Sequence, residues 1–554
     1  MTSALFGLAF LFVVCSAGYA TLRALRLQQG LLRLGLVAPA GLAILCVLST
    51  WAVALRAPPP APGLLVLGLA AFGAWRARSA LGARLRCTAT FTARSDPTVV
   101  LLLAAATIAP LAIQAFAFHG AQVPLSPHDG AYHAQAIDAH RSGRAWSDWY
   151  PPGMAALFAA ILQSTPWLDT AHGAFLVGAS LSPLASLGAF GLGLALWRGE
   201  RAAAASALLL SLTYLYPYFP QLWSGWPLAM SLVMITGLWA VGLEYLACQS
   251  LRLALLAGLL VGAIVLTHGS ELYTLALILP LLLLGAARVD WRALLGHAVM
   301  AAAVAVICAA PYLPTLINWA GGGGAYAVGL EDAVGVAKQA GSLATPDRLP
   351  LVAVYALDAL GVDLPLRLGL VAAGVTWAVR RRMGRAVVVV GTVFAGLAVT
   401  FASARSSPLV AQLYAATFPW GMHYRLLMIV ALAQAVLAGM GAVAIWRALA
   451  PRLSSEAVGR RVGRAVRLLV LTWLGLVVWS MPLFVEYPSR LVLGYGPDDD
   501  LAMAWLRQNA PPGAVLANDG FADAGIWAPY KAGVETLYPR IVAERGRTGA
   551  RARA

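Results

Sequence analysis

Apolar runs of about 15 to 25 residues recur along the chain, each closed by a short polar connection. They fall at 4–21, 34–55, 63–75, 97–118, 171–197, 202–218, 228–247, 253–267, 272–287, 293–312, 366–379, 386–401, 426–446 and 468–484. Taken as spanning helices they make about 14, which predicts an all-α polytopic membrane protein. One long polar stretch interrupts them, 126–153, SPHDGAYHAQAIDAHRSGRAWSDWYPPG. It holds three aspartates, three histidines and two arginines within 28 residues. A chain this apolar keeps such a cluster where water or protein surrounds it.

Composition agrees with the pattern. Sixty per cent of residues are hydrophobic, 11% are charged and the mean hydropathy is +0.76. The first run has no charged leader and no small-residue cleavage site, so it reads as a retained helix. The net charge is +16. In a soluble protein that charge would point to nucleic acid. Here the arginines sit between apolar runs and alternate by side, so the positive-inside bias explains them and no nucleic-acid partner is implied. Roughly 23 of the 39 basic residues fall on one side, which is then cytoplasmic. Seven of the eight histidines fall on the other side, where both termini also lie. Five cysteines without a CxxC spacing give neither a metal site nor a disulfide framework.

The chain divides accordingly. Residues 1–118 carry the first transmembrane helices. Residues 119–170 form the first large outer loop. Residues 171–485 form the membrane core, with outer loops at 314–350 and 402–424. The glycines at 321–324 make the first of these read as a mobile loop. Residues 486–544 read as a small outer α/β domain. Its helix spans 497–509, with Asp498 to Asp500 in the first turn and Pro511 and Pro512 after its end. A short strand follows at 514–516. The basic tail, 545–554, reads as disordered.

Asp129 is the leading candidate for chemistry. On a helix over 129–141, Asp129, His133 and His140 fall within about 40° of one another, and Asp138 points away. A carboxylate there suits a general base that deprotonates an acceptor hydroxyl. With His133 or His128 it suits a divalent cation instead. Asp129 as a helix N-cap is the structural alternative. Tyr150-Pro151-Pro152-Gly153 is a rigid step into the next helix. The apolar segment 154–162 is too short to span, so it lies at the interface or packs beside the site. His268 and Glu271 mark another outer edge, where ionisable groups are functional candidates or ordinary turn residues. Arg425, with Arg405 as a second candidate, sits at an outer edge against the charge bias. That calls for a partner such as a phosphate, or for snorkelling to headgroups. Tyr214, Tyr218, Trp223 and Trp226 read as part of an interfacial aromatic belt.

Together these motifs resemble the GT-C superfamily of polytopic glycosyltransferases, in an actinobacterial-type version. Asp129-Gly130-Ala131-Tyr132-His133 and the Tyr150 to Gly153 step look like its first outer loop. Thr267 to Glu271 looks like a later outer-edge motif. Arg425 looks like the residue that meets the lipid phosphate. The resemblance implies a polyprenyl-phosphate-linked sugar donor, an acceptor glycan or lipid of the cell envelope, and a bacterial plasma membrane. Inverting transfer with Asp129 as base and His133 beside it would follow. So would binding roles for Tyr150, His268, Glu271, Arg405 and Arg425. No cofactor is required, although a divalent metal at His128, Asp129 and His133 is compatible. Two departures stand out: about four spans precede the loop, and no second carboxylate adjoins Asp129. A transporter or lipid flippase, or a non-catalytic scaffold of envelope assembly, would use the same outer charges differently.

Overall fold

The computed structural model describes residues 2–27, 32–87, 96–118, 129–144, 150–268, 290–320, 364–386, 388–393, 423–453, 495–518, 524–537 and scattered positions between 461 and 480. The run at 272–287, residues 402–422 of the third outer loop, most of 314–350 and the tail lie outside the described residues. So do His128, Glu271 and Arg405.

The helices, in order, are α1 (Thr2–Ala24), α2 (Leu32–Ala54), α3 (Ala61–Cys87), α4 (Pro97–Ala117), α5 (Asp129–Arg141), α6 (Gly153–Gln163), α7 (Thr170–Ala179), α8 (Leu181–Trp197) and α9 (Glu200–Ser211). They continue with α10 (Trp226–Cys248), α11 (Leu251–His268), α12 (Trp291–Ala309), α13 (Leu313–Ala320), α14 (Leu364–Arg380), α15 (His423–Leu453) and α16 (Pro497–Asn509). Eight spans among the described residues are long and apolar enough to cross a membrane, nine if a bent pair counts as one. The count of 14 includes runs outside the described residues.

Helix α2 is apolar all round and sits at the centre, packed by α1, α6, α8, α10 and α11. It crosses α1 at Gly18 and Gly41. A side chain on either glycine would run into the partner's backbone at Val37 or Val14. Small residues let the two backbones touch, which is how helices gain packing where no water drives them together. The outer helices α4 and α12 instead leave Leu101, Phe116, Leu295 and Ile307 exposed, as lipid-facing surfaces do.

Three elements differ from the pattern read in the sequence. Helix α3 runs well past the apolar run ending at residue 75, because a helix outside lipid tolerates arginines. The run 171–197 is divided at Ser180 into α7 and α8, which together still make one span, Thr170–Trp197. The run 202–218 bends by 67° between α9 and the segment Tyr214–Gln221. At that bend the Thr213 N–H turns back to Leu210 O, so it does not serve Leu209 O. Two side chains serve that carbonyl instead: the Thr213 hydroxyl donates to Leu209 O at 2.9 Å, and Nη1 of Arg367, wholly buried on α14, donates to it at 2.8 Å. The hydroxyl and the buried guanidinium together meet the demand that backbone groups in a membrane be satisfied.

The bundle has two distinct ends. At one, Arg198 at the end of α8 pairs with Glu244 of α10 at 2.8 Å, and Arg201 pairs with Asp96. The N-terminal part of α2 lies near that end, because Gly35 packs on Gly191 of α8. The C-terminal end of α2 therefore points to the other end, where α5, α6 and the start of α10 gather. A small unit caps that end. Helix α16 and a parallel pair, β1 (Val515–Leu516) with β2 (Glu535–Thr536), surround buried Trp527. The same cluster takes in Ala131 and Ala134 of α5 and Ala171 of α7. Tyr530 Oη donates to Asp169 Oδ1 at 2.8 Å and accepts from Ala171 N at 3.2 Å.

Candidate active site

Helix α5 divides by face. Ala131 and Ala134 turn to the C-terminal cap. Tyr132, His133, Ala136 and His140 line a cavity of about 220 Å³. At 100° per residue, Asp129 shares the azimuth of Ala136 and His140, one turn ahead of His133. Asp129 is half-buried, in the first turn of the helix. Asp138 lies on the opposite side, paired with Arg144 and accepting from Thr170 Oγ1 at 3.2 Å. Arg141 anchors the far end of α5. It donates to Leu168 O at 2.8 Å, Thr170 Oγ1 at 2.9 Å and Thr165 O at 3.0 Å. With α5 held at its back and at its end, the cavity face has a fixed direction.

The Tyr150 to Gly153 step closes a second wall. Tyr150 lies between two imidazoles, its ring centroid 5.5 Å from that of His133 and 6.3 Å from that of His268. Tyr132 adds a fourth ring, 6.0 Å from Tyr150. His268, the last residue of α11, is buried. Gly153, the first residue of α6, explains why the step ends in glycine. A Cβ there would lie 2.5 Å from Cys46 Sγ of α2 and 2.6 Å from Leu266 O of α11. Helix α6 is buried throughout and packs on α2, α3 and α5, beside the cavity. Gly153→Ala therefore forces two central helices apart directly beneath Tyr150. The expected cost is about 1–3 kcal/mol. A lowered thermal midpoint in detergent would show it, and an unchanged midpoint would mean the junction is loose.

The aromatic cluster corrects the sequence reading. Trp226 is wholly buried, and so is Tyr218, whose hydroxyl donates to Ser211 O at 2.5 Å. Tyr214 is buried too, and Trp223 is half-buried. These rings form no lipid-facing belt, because the 67° bend turns the segment inward. Trp226 stands under the site. Its ring centroid is 6.0 Å from His133 and 5.8 Å from Phe158, and its Nε1–H donates to Gln221 Oε1 at 3.0 Å. Its place at the first position of α10, after a Pro-rich turn, was the available signal.

Sequence reasoning also missed the remaining wall, Pro311, Tyr312 and Thr315 at the junction of α12 and α13. Arg367 was equally unremarked, although an arginine inside an apolar run was its signal. Arg425 falls in the first turn of α15, and only its backbone is described. The structure thus gathers His133, Tyr150 and His268, with Asp129 on the cavity face of α5. It leaves His128, Glu271, Arg405 and the Arg425 side chain undescribed.

His140 is buried on the cavity wall, and its Nε2 has no partner among the described residues. Burial pushes its imidazole down from 6.5 to about 4, so the ring is neutral at pH 7. The unfolded chain takes up this proton near pH 6.5 and the folded chain does not. His140 therefore costs no stability above pH 6.5, and stability falls as pH drops from 6.5 towards 4, by at most about 1.4 kcal/mol per pH unit. Melting curves at pH 7.5 and 5 should separate more for the wild type than for His140→Gln. Equal separation would contradict this reading.

Among the described residues no group of three or more His, Cys, Asp or Glu side chains is gathered for a metal. A cation on Asp129 and His133 would need further ligands from outside the described residues. What the arrangement supplies is a small pocket with apolar walls, two imidazoles and three phenols, on the side of α5 to which the azimuth of Asp129 also points, the usual make-up of a small-molecule site.

The fold is similar to that of the Archaeoglobus fulgidus oligosaccharyltransferase in its apo form, at a TM-score of 0.51 and 15% identity, over 78% of this chain and 64% of that one. The same enzyme tethered to an acceptor peptide containing the NVT sequon gives a TM-score of 0.53 at 14% identity, over 79% and 63%. The archaeal oligosaccharyltransferase AglB from Archaeoglobus fulgidus, in complex with an inhibitory peptide and a dolichol-phosphate, gives 0.50 at 14%, over 79% and 64%. The chain spans just under two thirds of the length of the archaeal enzyme. By sequence, residues 11–552 match the model of DUF6541, a family of unknown function, and the chain belongs to that family. No curated protein matches it.

Proposed function

We propose that this protein is a membrane glycosyltransferase that moves a sugar from a polyprenyl-phosphate-linked donor to an acceptor hydroxyl. The observation that carries the reading is the cavity face of α5, where Asp129 shares an azimuth with His133 and His140 inside a GT-C-like bundle. The dolichol-phosphate bound by the archaeal neighbour supports the class of donor.

The chemistry asks little of the protein, because a phosphate is already a fair leaving group. Asp129 takes the proton of the acceptor hydroxyl as its oxygen attacks the anomeric carbon. The bond from that carbon to the phosphate oxygen breaks, and the electron pair leaves with the polyprenyl phosphate. Attack opposite the leaving group inverts the anomeric centre. Arg425 meets the developing phosphate charge. His133 and Tyr150 hold the sugar, His268 borders it, and Glu271 and Arg405 complete the donor side. The ion pairs at the arginine-rich end agree with a cytoplasmic placement of that end. The cavity then opens outside, both termini lie outside, and the acceptor is an envelope glycan or lipid in a bacterial plasma membrane.

Purified protein in lipid nanodiscs, given a panel of radiolabelled polyprenyl-phosphate sugars and envelope extract, tests the reading. Transfer of label to an envelope product is the expected result. Loss of transfer in EDTA would add a metal at Asp129 and His133. Donor binding without any product would contradict transfer and favour a transporter.

A further inference from the structure

A second cavity, of about 400 Å³, lies at the arginine-rich end of the bundle, far from the candidate active site. It sits between the start of α4, the turn joining α8 to α9, and helices α14 and α15. Three arginines, Arg198, Arg201 and Arg447, line it against two acids, Asp96 and Glu200. The charges are unevenly matched. Arg198 is satisfied by Glu244, and Arg201 by Asp96. Arg447 has no acidic partner among the described residues, nor has Arg381 one turn beyond Trp377. Both guanidiniums instead sit by the same indole, Arg381 Cζ at 5.0 Å and Arg447 Cζ at 5.8 Å from the Trp377 ring centroid. Two cations at one ring concentrate positive charge there, and an anion held by Arg447 on the cavity wall would offset it. Guanidiniums held against an aromatic face are also oriented for bidentate contact with phosphate.

The walls say which phosphate. Val99, Met440 and Val443 give the cavity apolar sides. Beside it, Leu101 of α4 and Val379 of α14 are exposed, in the manner of lipid-facing residues. A soluble anion would gain nothing from those sides, whereas a phosphate carrying acyl chains would use both halves. We propose that this cavity holds the phosphodiester of an anionic membrane lipid. Arg447 meets the phosphate oxygens, Arg381 at the same Trp377 ring adds positive charge beside them, and the glycerol end of the chains rests on Val99, Met440 and Val443. Such basic recesses between membrane helices are suited to anionic headgroups. The proposal does not depend on the glycosyltransferase reading.

Native mass spectrometry of the full chain, released from nanodiscs of mixed phosphatidylglycerol and phosphatidylcholine, tests it. Wild type should keep phosphatidylglycerol in preference to phosphatidylcholine, and added glycerol phosphate should not displace it. Arg447→Gln, at an exposed position, should weaken retention about fivefold. Arg381→Gln should do the same. Arg78→Gln, an equal charge change on exposed α3 surface, should leave retention unchanged. Equal retention in Arg447→Gln and Arg78→Gln would overturn the site. Displacement by glycerol phosphate would overturn the lipid as its occupant.

Discussion

Asp129→Asn should lower sugar transfer by a factor of about 10²–10⁴, the range a positioned general base contributes. The substitution keeps the size and most of the hydrogen bonding of the side chain, so the helix should form as before. Its position in the first turn of α5 matters here. Asparagine is also a good residue at a helix start, so the structural role of Asp129 survives the change. The variant therefore separates the two readings that the residue alone leaves open. A capping role predicts near-normal transfer. A catalytic role predicts donor binding close to wild type, with the loss carried by kcat. Unchanged kcat in a folded Asp129→Asn protein would remove Asp129 from the chemistry.

Trp226→Ala should have the largest effect on stability, about 3–5 kcal/mol. The indole is wholly buried, supports both His133 and Phe158, and is bonded to Gln221. Removing it leaves a void against α7, where Gly178 approaches the ring, and takes away the floor under His133. Trp226→Phe keeps a ring but loses the Nε1–H bond, and should cost less, about 0.5–1.5 kcal/mol for the bond with a smaller packing loss added. Thermal midpoints of the two variants in the same detergent should fall in that order. Equal midpoints for Trp226→Ala and wild type would mean that the ring bears no packing.

The parts of this site that the sequence made legible are local ones. The spacing of Asp129, His133 and His140 sets their common face, because the period of a helix is the same wherever the helix lies. The Pro-Pro-Gly step announces its own helix start. Long apolar runs with arginines between them announce a bundle. What stayed hidden depends on where elements pack. An aromatic at the end of an apolar run looks the same whether it faces lipid or a helix, so Trp226 read as belt and not as floor. The reason for Gly153 lies in Cys46 and Leu266, distant in sequence. Arg367 caps a break in α9 that only the folded chain displays. The meeting of Tyr150 with His268 likewise needs α6 and α11 to be neighbours, and no periodicity states that.

On the proposed function, the sugar is transferred in the cavity beside α5. A structure of the protein with a non-transferable polyprenyl-phosphonate sugar tests it most directly. The sugar should lie between His133 and Tyr150, with its anomeric carbon facing the Asp129 side of α5 and the phosphonate towards the first turn of α15. An analogue bound elsewhere, or an empty cavity at a saturating concentration of the analogue, would contradict the account.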